Sequence, residues 1–385
     1  MVNKTPAVPL IQIERPDLYL RPENLYALSR AGLSDSLDEL LTLTEVSEFK
    51  PFPSYKFALV DHNRLGSTFS LDNPKAEVVA VIDHHEDEEL YPKAKPRIIE
   101  AVGSCTSLVA TQLPSAPLPD LALLLLTGVL IDTNRLQNGK TEQTDRDSAL
   151  LLAAKSTIAS SIPGLSGDDP DPDVVFESKA IKHLTKRLRD KKKGVSLGGF
   201  DLIRRDYKEY THPLPWVAGS PSIKVGLSTV PSALKDWATD GELEEAAVRW
   251  IKQRKITILG VCTSWKNRNG KRREQAWFIL TEPELAAIAS KDLTAKILAK
   301  RLWAGLKASK DPKLKLEKYK KFSYLEDGER LPAESRARAY KQGNTKANRK
   351  VIAPLVKSIL EDASIEEDGE TTEKKGVIKN DGDKK

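Results

Sequence analysis

The chain has 385 residues, of which 39% are hydrophobic and 30% charged, and a formal net charge of +6. That length gives room for two domains with a core in each, and the composition is that of a globular protein. No apolar run approaches the roughly 20 residues that a membrane helix needs. The best stretch, 121–131, is short and is broken by Thr127 and Gly128. The opening Met1-Val-Asn-Lys-Thr-Pro has no apolar segment behind its lysine, which argues against a secretory signal. Two cysteines, Cys105 and Cys262, are too few for a disulfide framework and lack paired metal-ligand spacing. Free thiols in a reducing compartment, and a cytoplasmic location, are expected.

In chain order, 8–13 is a short β-rich run and 21–30 has helical character. Phe57-Ala-Leu-Val-Asp61 and Val78-Val-Ala-Val-Ile-Asp83 are continuous apolar runs, each ended by Asp. Such runs suit strands buried on both faces of a parallel sheet. Helices are expected from Ser104, over 119–131 and over 143–156. Residues 1–160 thus read as an α/β domain. Residues 161–175 are rich in Pro, Gly, Ser and Asp and read as a linker. A basic helix over 176–190 then opens a smaller mixed α/β domain spanning 176–362. Its expected strands are 202–210, 222–230, 256–264 and 275–281, with a helix over 283–304. Residues 307–345 are lysine-rich and look irregular, a last helix runs from Asn348 to near Glu361, and 363–385 has the composition of a disordered charged tail.

Between Ile181 and Tyr210 there are ten Lys or Arg against four Asp or Glu. This points to an anionic partner; nucleic acid, phosphate chains and membrane surfaces all fit on charge alone, as does a plain solvated helix face.

In open α/β sheets, ligands gather outside the carboxyl ends of the strands. Both buried-strand candidates end there in acid and imidazole: Val60-Asp61-His62-Asn63 and Ile82-Asp83-His84-His85. Asp132 closes a third apolar run. Of five histidines in the chain, three lie in these two motifs. Each motif alone is weak, since a strand-terminal Asp often only caps a helix or forms a turn. Together they suit Mn²⁺, Mg²⁺, Co²⁺ or Zn²⁺.

The constellation resembles the DHH phosphoesterases, which Asp83-His84-His85 would name. It is followed by Gly103-Ser104-Cys105-Thr106-Ser107 and by Leu126-Thr127-Gly128-Val129-Leu130-Ile131-Asp132-Thr133 in the family's order. The second half resembles the DHHA2 domain of family II pyrophosphatases and eukaryotic exopolyphosphatases. Arg205-Asp206-Tyr207-Lys208-Glu209-Tyr210, Thr263-Ser264-Trp265 and Asn348-Arg349-Lys350 carry that likeness. The wording of 8–20, Asp61-His62-Asn63 and 341–350 is most similar to exopolyphosphatase.

The resemblance implies that Asp61 bridges two divalent metals, Mn²⁺ or Mg²⁺ above all, and that His84 and Asp132 bind the second. It implies that Asp83 orients an imidazole and that His85 donates to bound phosphate. Lys208, Arg349 and Lys350 would clamp phosphate oxygens. The implied activity is release of orthophosphate from polyphosphate ends. Pyrophosphatase or nucleotide phosphodiesterase activity on the same fold, or polyanion binding without catalysis, are the alternatives. Polyphosphate or pyrophosphate is the expected partner, rather than membrane or nucleic acid. Nothing upstream of Asp61 resembles the family's first, Asp-x-Asp type motif. The expectation is therefore a truncated chain with an impaired two-metal site. Gly103–Ser107 fits either a phosphate-facing turn or the start of a helix packed on the sheet. Lys271, Arg272 and Arg273 read as a charged hairpin turn, and Trp265 as a packing residue.

Overall fold

The computed structural model describes residues 7–113, 117–165, 170–193, 196–281 and 293–363. It divides into two compact units, Met1–Leu197 and Gly198–Lys385. Among the described residues, no helix is long and apolar enough to cross a membrane.

The first unit holds a parallel sheet of β1 (Lys56–Val60), β2 (Glu77–Asp83) and β3 (Arg97–Ile99), with β2 in the middle. Leu10–Ile11 and Leu41–Thr42 form a separate parallel pair. Among its helices are α1 (Cys105–Thr111), α2 (Pro119–Asp132), α3 (Gln143–Lys155) and α4 (Lys179–Lys192). α2 is apolar almost all round, so it must be surrounded. Leu123, Leu126, Val129 and Leu130 of α2 are fully buried, in a core shared with Leu152 and Ile181. α1 crosses α2 closely, because a Cβ on Gly128 would lie 2.6 Å from Thr106 Oγ1.

Two expectations need correction here. β1 is not buried on both faces: among the described residues it pairs only with β2, Leu59 is its one buried residue, and Val60 is 49% exposed. The boundary between the units also lies beyond 161–175. The apolar stripe Ile181, Leu184 and Leu188 of the basic helix inserts into the first unit's core, which carries α4 with it. The end of the expected linker is helical, in Pro172–Glu177, and 166–169 lie outside the described residues.

The second unit is built on a mixed sheet. Its strands are β4 (Tyr207–Pro213), β5 (Ser222–Val230), β6 (Ile258–Thr263), β7 (Gly270–Ile279), β8 (Leu316–Lys318) and β9 (Arg336–Gln342). Their order is β8-β9-β7-β6-β5-β4, with Trp265–Asn267 paired to the start of β7. Only β5 and β6 run parallel along this path, joined through α6 (Glu242–Arg254); other helices include α5 (Gly199–Arg205), α7 (Ala295–Ala308) and α8 (Arg349–Glu361). Every residue of β6 is buried, as its central position requires.

Residues 202–205, expected as strand, finish helix α5. The segment 307–345 is not irregular throughout: β9 pairs along its length with β7 and buries Ala337, Ala339 and Tyr340. Its Arg-Ala-Arg-Ala alternation puts cations on the other face, which hides a strand in a basic segment. The expected helix over 283–304 is described only as α7, since 282–292 lie outside the described residues, as does the tail 364–385.

Candidate metal centre

β1 and β2 are adjacent and parallel, so their carboxyl ends place Asp61 and Asp83 at one rim. Asp61 has φ 66°, a left-handed conformation that Asp tolerates better than most residues. Its backbone N–H donates to the Ile82 carbonyl at 3.0 Å, which holds the turn onto β2. The Asp61 carboxylate remains largely exposed.

Asp83 is fully buried and anchors the cluster. It accepts from Asn63 Nδ2 at 2.6 Å, the His84 backbone N–H at 2.8 Å and His85 Nδ1 at 2.8 Å. Burial alone would push its carboxyl pKa up; these donors outweigh burial and hold it below the usual range. His85 is thereby oriented, with Nε2 left as its free ring nitrogen.

His84 is fixed from the other side: its Nδ1 bonds the Val102 carbonyl at 3.1 Å. A carbonyl only accepts, so Nδ1 carries a proton, and when the ring is neutral Nε2 presents its lone pair. That lone pair lies 3.3 Å from Asp61 Oδ1. Two acceptors facing one another need a proton or a cation between them. The Asp61 carboxylate accordingly raises the His84 pKa against the effect of burial. Ligand atoms of Asp61, His84 and His85 all lie within 4.8 Å of one another, and this is the one such group of acid, imidazole or thiol side chains among the described residues.

Asp132, the last residue of α2, stands outside that group. It accepts from Ser104 Oγ at 2.9 Å. Crowded surroundings push its pKa up despite solvent access, while Lys192 opposes the shift, and the charges of Asp61 and His84 are felt there too. His62 bonds the Val60 carbonyl and Gln12 instead of joining the cluster.

The Gly103–Ser107 segment is the packed start of α1. Several of its donors are already taken: Asp145 accepts from Gly103 N at 2.7 Å, Ser104 N at 3.2 Å and Ser107 Oγ at 2.6 Å. Asp145 is fully buried and was not singled out from the sequence. Cys105 is no nucleophile, since burial, with Asp61 adding, pushes its thiol up to about 12.

In the second unit, Lys208 on β4 and Lys350 on α8 are exposed. Arg349 is engaged: it donates to the Asp206 carbonyl at 2.8 Å and pairs with the Asp206 carboxylate at 2.8 Å. It also reaches the carbonyl of Leu227, the register partner of Lys208, so Lys208 and Arg349 share one corner of the sheet. Arg273 is not part of a surface turn. It is buried in β7, donates to the Thr345 carbonyl at 2.8 Å, and is the cation missed by the sequence reading. The signal was the period of two: Arg273, Gln275 and Trp277 share one face, and the last two are fully buried. Burial pushes the Cys262 thiol up, and the charges of Arg273 and Arg349 pull it back, so both guanidinium groups lie near it. Trp265 is half-buried on the short strand opposite Arg272.

Residues 187–359 match the DHHA2 domain. A Schizosaccharomyces pombe protein, provisionally named an exopolyphosphatase, is 31% identical over 69% of this chain and 66% of its own length. A protein of Archaeoglobus fulgidus, provisionally named a manganese-dependent inorganic pyrophosphatase, is 30% identical over 35% of this chain and 39% of its own. The chain thus spans just under two thirds of the first of these relatives. A crystal structure from Methanococcus jannaschii, provisionally described as a family II inorganic pyrophosphatase, covers 88% of each chain at 16% identity and a TM-score of 0.49, too loose a likeness to carry weight. The DHHA2 match and the identity to the Schizosaccharomyces relative support a DHH-family, exopolyphosphatase-like protein.

Proposed function

We propose that this chain is a divalent-metal-dependent phosphoanhydride hydrolase that acts on the ends of polyphosphate chains in the cytoplasm. The observation that carries the reading is His84 Nε2 held 3.3 Å from the Asp61 carboxylate, an arrangement that a proton or a metal cation can bridge. One carboxylate and two imidazoles form a donor set that suits Mn²⁺ better than the all-oxygen preference of Mg²⁺. Asp61, His84 and His85 would hold the ion, with Asp132 close enough to act on its charge. When bound, such an ion acidifies water and neutralises a phosphoryl group. The protein's own part is positioning. Asp83 fixes the His85 ring. Lys208 and Lys350 meet phosphate oxygens as mobile cations, and Arg349, held by Asp206, meets them as a fixed one.

A polyanion is favoured over pyrophosphate by the exposed lysines of α4. The test is orthophosphate release from long polyphosphate, tripolyphosphate, pyrophosphate and a cyclic dinucleotide, each with Mn²⁺ and with Mg²⁺. Turnover of polyphosphate that His84→Ala abolishes is expected. Turnover of pyrophosphate alone would refute the polyphosphate reading, and metal-independent turnover would refute the centre.

A further inference from the structure

The second unit has a half-open pocket of about 360 Å³ between the start of α6 and residues 321–331. This lies in the size range of small-molecule sites. Glu244, in the first turn of α6, lines it. Glu244 is 2% exposed, and neither of its carboxylate oxygens has a well-formed hydrogen bond. Burial raises its pKa, against the pull of its own backbone N–H and of Arg330. Burial also raises the Tyr324 hydroxyl, on which the charges of Glu244, Arg330 and Asp240 all act. These four side chains therefore converge on one space.

A buried carboxyl without partners destabilises a fold, and an apolar side chain of the same length would do better there. The helix dipole does not demand it, because Glu242 and Glu245 already place acid in that turn. The cavity's carboxylates do not gather as metal ligands: among the described residues only Asp61, His84 and His85 do.

We propose that this cavity binds a small organic ligand with two adjacent N–H donors at one end and an anionic group at the other. The donor pair would meet both oxygens of Glu244, the bidentate geometry that carboxylates favour. The anion would meet Arg330 and Lys321, two exposed cations on the lining, while Phe322 and Tyr324 supply aromatic walls. Guanine nucleotides and arginine share this chemistry. The proposal goes beyond the hydrolase reading, and its readout is binding alone.

The experiment is calorimetric titration of the full chain with GMP, AMP, L-arginine and agmatine. GMP or L-arginine should bind, which identifies the source of the N–H pair. AMP, which lacks that pair, should not bind, and agmatine, which lacks the anion, should bind more weakly than arginine. Glu244→Gln should lower affinity about tenfold or more. Arg330→Ala, at an exposed position, should weaken binding while leaving the fold intact. Glu244→Met should melt at or above the parent temperature and lose the ligand. Absence of binding by both GMP and L-arginine, equal binding of AMP, or a lowered melting temperature for Glu244→Met would each overturn the proposal.

Discussion

At the scale of single residues, the centre is organised by a side chain that need not touch the metal. Asp83 accepts three hydrogen bonds, and two of the donors belong to His84 and His85. Replacing it with Asn removes the charge and turns an amide N–H toward those donors. Affinity for Mn²⁺ should fall roughly tenfold to a hundredfold, the usual effect of losing a partner behind a ligand. Calorimetric titration of Asp83→Asn against the parent checks this; equal affinities would mean the ring of His85 is held by something else. Asp145 makes the contrasting case, a buried acid whose work is structural. Its carboxylate accepts from Gly103, Ser104, Ser107 and the Glu142 backbone N–H. Asp145→Ala strands several buried donors at once, each costing about 1–3 kcal/mol. Urea denaturation should show a loss of roughly 3 kcal/mol or more. Asp61 and His84 were legible in the sequence because each follows an apolar strand-like run. Asp145 was not: its local bond to the Glu142 N–H is that of an ordinary acid in a first helical turn, and its other partners lie some 40 positions earlier in the chain.

At the scale of elements, legibility followed apolar content. The runs 78–83, 222–230 and 256–264 read as strands and are strands, since burial and β-branching agree there. β9 was missed because Arg336, Arg338 and Lys341 dominate its composition, although its alternating residues are buried against β7. Residues 202–205 defeated the reading in the other direction: Leu202 and Ile203 have strand-like composition but lie in the last part of a helix. The centre of the second sheet is packed so closely that one position admits no side chain. A Cβ on Gly260 would lie 2.5 Å from the Trp277 ring and 2.8 Å from Leu227. Gly260→Ala therefore overpacks a fully buried layer and should cost about 1–3 kcal/mol. A thermal melt indistinguishable from the parent's would show that Trp277 can yield.

At the scale of the whole molecule, the net charge of +6 matters less than where the cations stand. α4 buries Ile181, Leu184 and Leu188 and turns Lys182, Lys186, Arg187 and Lys191 to solvent. Its 14 residues make a basic edge about 21 Å long. The end nearest Asp132 is the C-terminal one, because the charge of Lys192 is felt at that carboxylate. A basic edge that ends beside the metal centre suits a chain of phosphates far better than a single pyrophosphate, which would reach only its last turn. Some of these lysines are in exposed ion pairs, Lys182 with Glu177 and Lys186 with Asp190. Such pairs are worth little to stability, so removing the lysines should leave the helix folded. The triple variant Lys182→Ala, Lys186→Ala and Lys191→Ala should raise KM for long polyphosphate roughly tenfold, from a few tenths to 1 kcal/mol per exposed charge. It should leave KM for tripolyphosphate and the affinity for Mn²⁺ where they were. It should also flatten the salt dependence of polyphosphate binding, because screening acts on the charges that were removed. If instead KM rises equally for long and short substrates, these lysines act on the centre's general field, and the polyanion lies along some other surface.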